Sequence, residues 1–112
     1  MRIYCDGATD RCCYIIDGQE PVIFAYPERV TNNQGEYKAV ILALEEAQNR
    51  QLEEVEILTD SQLVVCQVSG EYKCRKAHLL SLRDKVRELA QDLQATIKWI
   101  ERENNPAGKL LG

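Results

Sequence analysis

A switch of hydrophobic period about a quarter of the way along the chain restricts the fold more than any other feature. Residues 2–6 (RIYCD) alternate, with Ile3 and Cys5 on one side and Tyr4 on the other, and Asp6-Gly7 ends the run with a turn signal. Residues 12–16 (CCYII) form a second strand-like segment, followed by the hairpin signal Asp17-Gly18. Residues 21–26 (PVIFAY) form a third, closed by Pro27. The opening of the chain therefore reads as an antiparallel meander. The period then becomes helical: within 33–50, Tyr37, Val40, Ile41, Leu44 and Ala47 recur at helical spacing. A strand over 54–59 (EVEILT) follows, then a short helix over 61–68 ended by Gly70. Leu79, Leu82, Val86, Leu89 and Leu93 mark a helix over 76–93 with a core-facing stripe, and residues 95–100 (ATIKWI) a fifth strand with Trp99 expected in the core. Asn105 as cap and Pro106 at the first helical position open a short last helix within 105–112.

A hairpin run followed by βαβ units predicts an α/β fold, a five-stranded mixed sheet flanked by helices with right-handed crossovers. The 112 residues predict a single domain over 1–112. The net charge of −4, from 14 basic and 18 acidic residues, argues against bulk electrostatic coating of nucleic acid. A phosphate-bearing partner would have to be met by a local basic patch or through metal ions. Five cysteines, Cys5, Cys12, Cys13, Cys66 and Cys74, form no C-x-x-C pair, and we expect reduced thiols in a cytoplasmic protein. The single histidine, His78, completes no zinc spacing and is expected to be structural or at the surface. No apolar run approaches the ~18 residues of a membrane span, and Met1-Arg2-Ile3-Tyr4-Cys5-Asp6 is unlike a secretory signal. No membrane partner is expected and no oligomer is required.

The chemistry rests on acids placed where elements meet. Asp6 closes the first strand, Glu36 lies in the first turn of the first long helix, and Asp60 closes the fourth strand. If the first and fourth strands are neighbours, both aspartates emerge at one edge of the sheet and Glu36 approaches from the covering helix. Carboxylates held that close raise one another's pKa unless cations neutralise them. Hard oxygen ligands of this kind select Mg²⁺ or Mn²⁺. Each acid also has a purely structural role open to it: Asp6-Gly7 as a turn, Glu36 closing a capping box with Asn33, Asp60 as the cap of the next helix.

Four blocks of the sequence carry a resemblance: Tyr4-Cys5-Asp6-Gly7-Ala8, Thr31-Asn32-Asn33-Gln34-Gly35-Glu36-Tyr37, Leu58-Thr59-Asp60-Ser61-Gln62-Leu63-Val64, and Trp99 through Leu110 with Asn105-Pro106-Ala107-Gly108 at its centre. In order and spacing they resemble the type 1 ribonuclease H family, over nearly the whole chain, and the strand and helix order agrees with a ribonuclease H-like fold. The resemblance implies a metal-dependent endonuclease that hydrolyses the RNA strand of RNA–DNA hybrids, leaving 5′-phosphate and 3′-hydroxyl ends. Asp6, Glu36 and Asp60 would be three members of the family's D-E-D-D site, holding two Mg²⁺ ions, with Mn²⁺ as a substitute. Thr31, Asn32, Asn33 and Gln62 match positions that touch the hybrid's backbone and minor groove, and Lys73 and Arg75, with Lys76 beside them, fall in a region that faces the DNA strand.

The chain departs from the family pattern in three places. The fourth carboxylate, expected after Ala107, is Gly108. Nearby Glu101 and Glu103 are the residues that could reach over in its place. The glycine-rich loop after the first strand is shortened to Asp6-Gly7-Ala8-Thr9-Asp10-Arg11, and the loop histidine of some members is missing, His78 lying elsewhere. The alternative to an active nuclease is therefore a catalytically impaired ribonuclease H-like domain that binds nucleic acid or acts as a scaffold.

Overall fold

The computed structural model describes residues 1–111. Along the chain run β1 (Arg2–Gly7), β2 (Arg11–Ile16), β3 (Val22–Ala25), α1 (Asn32–Asn49), β4 (Glu56–Thr59), α2 (Gln62–Ser69), α3 (Ala77–Leu93), β5 (Thr96–Trp99), a 3₁₀ turn (Arg102–Asn104) and α4 (Pro106–Leu111). The strands form one mixed sheet in the order β3-β2-β1-β4-β5. The first three pair antiparallel, while β4 runs parallel to both β1 and β5. The five-stranded mixed α/β sheet expected from the sequence is the one observed.

One face of the sheet contributes Ile3, Cys5, Cys12, Tyr14, Ile16 and Ile57 to the main core. Tyr37, Val40 and Leu44 of α1 pack on it, and α2 and α3 close the layer through Val64, Leu79, Val86 and Leu89. The stripe on α3 faces the core as its spacing predicted, with Leu82 and Leu93 only partly buried against it. Cys13, which alternates to the opposite face, is equally buried, and α4 packs there over β1 and β2.

Four local expectations are corrected. The capping box of α1 is Thr31–Gln34: Gln34 N–H donates to Thr31 Oγ1 at 3.1 Å and Thr31 N–H to Gln34 Oε1 at 2.9 Å. The helix accordingly starts earlier, Glu36 sits a full turn inside it, and its side chain is released from capping. The fourth strand begins at Glu56, after Glu54 turns the backbone into the left-handed region at φ 53°. The cap of α2 is Ser61, whose Oγ accepts from Val64 N–H at 3.2 Å, and Asp60 takes no part in the capping. Trp99 is 43% exposed, because β5 is an edge strand with nothing beyond it in the sheet.

A candidate metal centre at the ends of β1 and β4

Parallel pairing places Cys5 opposite Thr59, so the next residues, Asp6, still paired with Cys13 of β2, and Asp60, just past the end of β4, lie side by side. Glu36 reaches them only because α1 crosses the end of β1 at backbone contact. A Cβ at Gly7 would overlap the Gly35 carbonyl, and one at Gly35 would overlap the Ala8 carbonyl. The Tyr26 hydroxyl donates to that Gly35 carbonyl at 2.9 Å and holds the crossing from the far side. Gly7 N–H then donates to Glu36 Oε1 at 3.0 Å. The result is one oxygen each from Asp6, Glu36 and Asp60 within 4.8 Å of one another.

Crowding changes the acidity of this cluster. Burial, then the charge of Asp60, push the Asp6 carboxyl up to about 6, with the Arg102 guanidinium opposing them. Burial, then the charge of Asp6, push Glu36 up to about 8, against the Gly7 N–H that favours the ionised form. At neutral pH the metal-free cluster therefore retains a proton on Glu36. The second oxygen of that residue, Oε2, is buried without a hydrogen-bond partner among the described residues. A buried carboxyl oxygen that no N–H of the protein reaches is satisfied by a proton shared with a neighbouring carboxylate or by a cation in its place. Hard oxygens converging around an unpartnered one are the donor set of a Mg²⁺ or Mn²⁺ ion.

The cleft in front of the carboxylates, about 420 Å³, is also lined by Asn32, Asn33, Ser61, Arg102 and Gly108. Asn33 is shared with a neighbouring groove lined by Lys73, Arg75 and Lys76. Of the residues singled out in the sequence, Asp6, Glu36, Asp60, Asn32 and Asn33 come together in one cleft, and Lys73 and Arg75 in the adjoining groove. Thr31 caps α1 at its exposed end, and Gln62 opens α2 with its side chain exposed, neither of them on the cleft wall. His78 is exposed on α3.

A family model described as reverse transcriptase-like matches residues 15–111. The crystal structure of RNase H1 from the halophilic archaeon Halobacterium salinarum superposes with a TM-score of 0.84 at 28% identity, over 98% of this chain and 92% of that one. The chain belongs to the type 1 ribonuclease H family. LC11-RNase H1, solved in complex with an RNA/DNA hybrid, matches at a TM-score of 0.77 and 27% identity, over 99% of both chains. The bifunctional protein Rv2228c of Mycobacterium tuberculosis is 36% identical over 78 residues, which are 69% of this chain and 21% of that protein. The chain thus spans about a fifth of the length of the curated relatives it first matches.

Against the ribonuclease H pattern, Gly108 stands where its absent side chain would matter. A Cβ there would lie 3.4 Å from Asp60 Oδ2 and 3.6 Å from Asp6 Cγ, in ordinary contact and aimed at the cluster. Glu101 and Glu103 do not take its place: they are exposed, and neither belongs to the cluster. Three groups escaped the sequence reasoning. Arg102, between two glutamates, was not singled out; its position in the β5–α4 connection was the available signal. Ser61 was visible only as a neighbour of Asp60. Asn105 was recognised as a cap, but not for what its amide touches.

Proposed function

We propose that this chain hydrolyses the RNA strand of RNA–DNA hybrids using divalent ions, Mg²⁺ or Mn²⁺, held by Asp6, Glu36 and Asp60. The observation that carries the proposal is the convergence of one oxygen from each of three carboxylates, Asp6, Glu36 and Asp60, at the mouth of a polar cleft. The named hybrid complex of LC11-RNase H1 supports the substrate. Bound divalent ions supply an activated water and neutralise the charge that develops on the leaving 3′ oxygen. The chain's own residues set the geometry. Asp6 lies between the other two acids in function, raising Glu36 and raised by Asp60. Gly7 N–H occupies one Glu36 oxygen and leaves the other for an ion. Asn32, Asn33 and Ser61 line the cleft with groups that donate and accept, as contact with a 2′-hydroxyl requires. Arg102 offers a cation on the cleft wall for the phosphate, and Lys73 and Arg75 a track for the DNA strand. The five free thiols fit a reducing, cytoplasmic setting, which is part of the proposal.

Gly108 favours a second reading, a hybrid-binding domain with impaired hydrolysis, because one ion would lack a protein oxygen. Loss of one ligand is worth on the order of 10³-fold in rate, a barrier increase of about 4 kcal/mol. We therefore expect slow cleavage. The test offers end-labelled RNA–DNA hybrid, double-stranded RNA and double-stranded DNA in Mg²⁺ and in Mn²⁺, with Asp6→Asn purified in parallel. Hybrid-selective cleavage leaving 5′-phosphate ends, absent in Asp6→Asn, is the expected result. Hybrid binding with no cleavage above that control would establish the second reading instead.

A further inference from the structure

A fully buried asparagine stands directly behind the carboxylates. Asn105 Oδ1 accepts from Ala107 N–H at 3.2 Å, the ordinary bond of a helix cap. Capping needs only that oxygen, and serine, threonine or aspartate would supply it equally well. The amide nitrogen does something else: it donates to the Cys5 carbonyl at 2.8 Å and to Asp60 Oδ2 at 3.2 Å. Each of its two hydrogens thus has its own acceptor. The first acceptor belongs to the residue preceding Asp6, and the second is the Asp60 carboxylate itself. Among the described residues no other side chain donates to that carboxylate. The same Oδ2 is the oxygen nearest to where a side chain at position 108 would begin.

We infer that Asn105 is a positioning residue for the metal-binding carboxylates, its amide tying the β1 backbone to Asp60 and so setting how Asp60 faces the ion. The inference rests on the proposal that these carboxylates bind a divalent ion. One Asp60 oxygen is committed to the protein and the other is left for the metal. With glycine at position 108, α4 contributes no carboxylate, and the amide of the residue that caps it, Asn105, supplies a polar contact with the cluster. Partners of this kind change metal affinity by about 10–100-fold when removed.

The test measures Mn²⁺ affinity by calorimetry in the wild type, Asn105→Ala and Asn105→Ser. It also follows the fluorescence of Trp99, the only tryptophan, whose Nε1 donates to the Asp60 carbonyl at 3.2 Å. Serine keeps a capping oxygen but is too short to reach Asp60. Asn105→Ser should retain a cooperative thermal transition and bind Mn²⁺ about 10–100-fold more weakly. A folded Asn105→Ser protein with wild-type affinity would overturn the inference. If neither variant folds, the side-chain amide resonance of Asn105 in the wild type decides: it should move as Mg²⁺ fills the site, and an unmoved resonance at saturation would overturn the inference. Failure of the wild type itself to bind either ion would remove the metal-site proposal, and the role of Asn105 with it.

Discussion

At the scale of the residue, the account turns on acids that destabilise one another until a cation arrives. Asp6 is the most informative position because its charge raises Glu36 and because it adjoins Asp60. Asp6→Asn should abolish metal-dependent cleavage yet raise the melting temperature of the metal-free protein at pH 8. Removing one like charge there should be worth about 1 kcal/mol, or roughly 4–8 °C for a domain of this size. Calorimetric melts in chelator check it, and an unchanged or lower melting temperature would mean the carboxylates do not strain the fold. Gly108 matters through what it leaves out. Its Cβ position is sterically open and the helix around it is ordinary, so the missing ligand can be restored without rebuilding α4.

At the scale of the element, the site depends on α1 lying against the end of β1 closely enough for Glu36 to meet Gly7 N–H. Gly35→Ala should push the helix away, because the added methyl overlaps a backbone carbonyl that cannot rotate aside. The expected cost is about 3 kcal/mol in chemical denaturation, the upper end of overpacking effects, together with a marked loss of Mn²⁺ affinity. Wild-type stability would contradict the close crossing. The elements themselves were largely legible in the sequence, since periodicity reports which face a segment buries. The meeting of Asp6 and Asp60 was legible only on condition that the first and fourth strands are neighbours, a condition the sheet order meets. What was illegible depended on choices that local pattern leaves open. Thr31–Gln34 and Asn33–Glu36 both fit a capping box, and only the packed helix shows which one closes. Trp99 alternates like a core residue, but alternation says nothing about which strand forms the edge. The amide of Asn105 and the guanidinium of Arg102 work across distances in sequence that no local motif spans.

At the scale of the whole molecule, an acidic chain meets a polyanion, and the cluster links its stability, its protonation and its metal binding. The Asp6 and Glu36 values of about 6 and 8 lie above the ordinary 3.8 and 4.5. Folding therefore favours their protonated forms. That contribution is fully present below the ordinary values and is lost as pH rises through 6 and then 8. Metal-free protein should lose stability across this window, and saturating Mg²⁺ or Mn²⁺ should remove much of the loss. Apparent metal affinity should rise over the same interval and level off above about 8, with about one proton released as the site fills at pH 7. Melts with and without ion from pH 5 to 9 read both, and a flat metal-free profile would contradict the linkage. The most direct test of the central claim, that a three-carboxylate site performs ribonuclease H chemistry while lacking its fourth ligand, is single-turnover cleavage of one labelled RNA–DNA hybrid by the wild type and by Gly108→Asp. The account predicts slow, metal-dependent cleavage by the wild type and an increase on the order of 10²–10³-fold in the variant. Silence from both proteins, each folded and binding Mn²⁺, would contradict it.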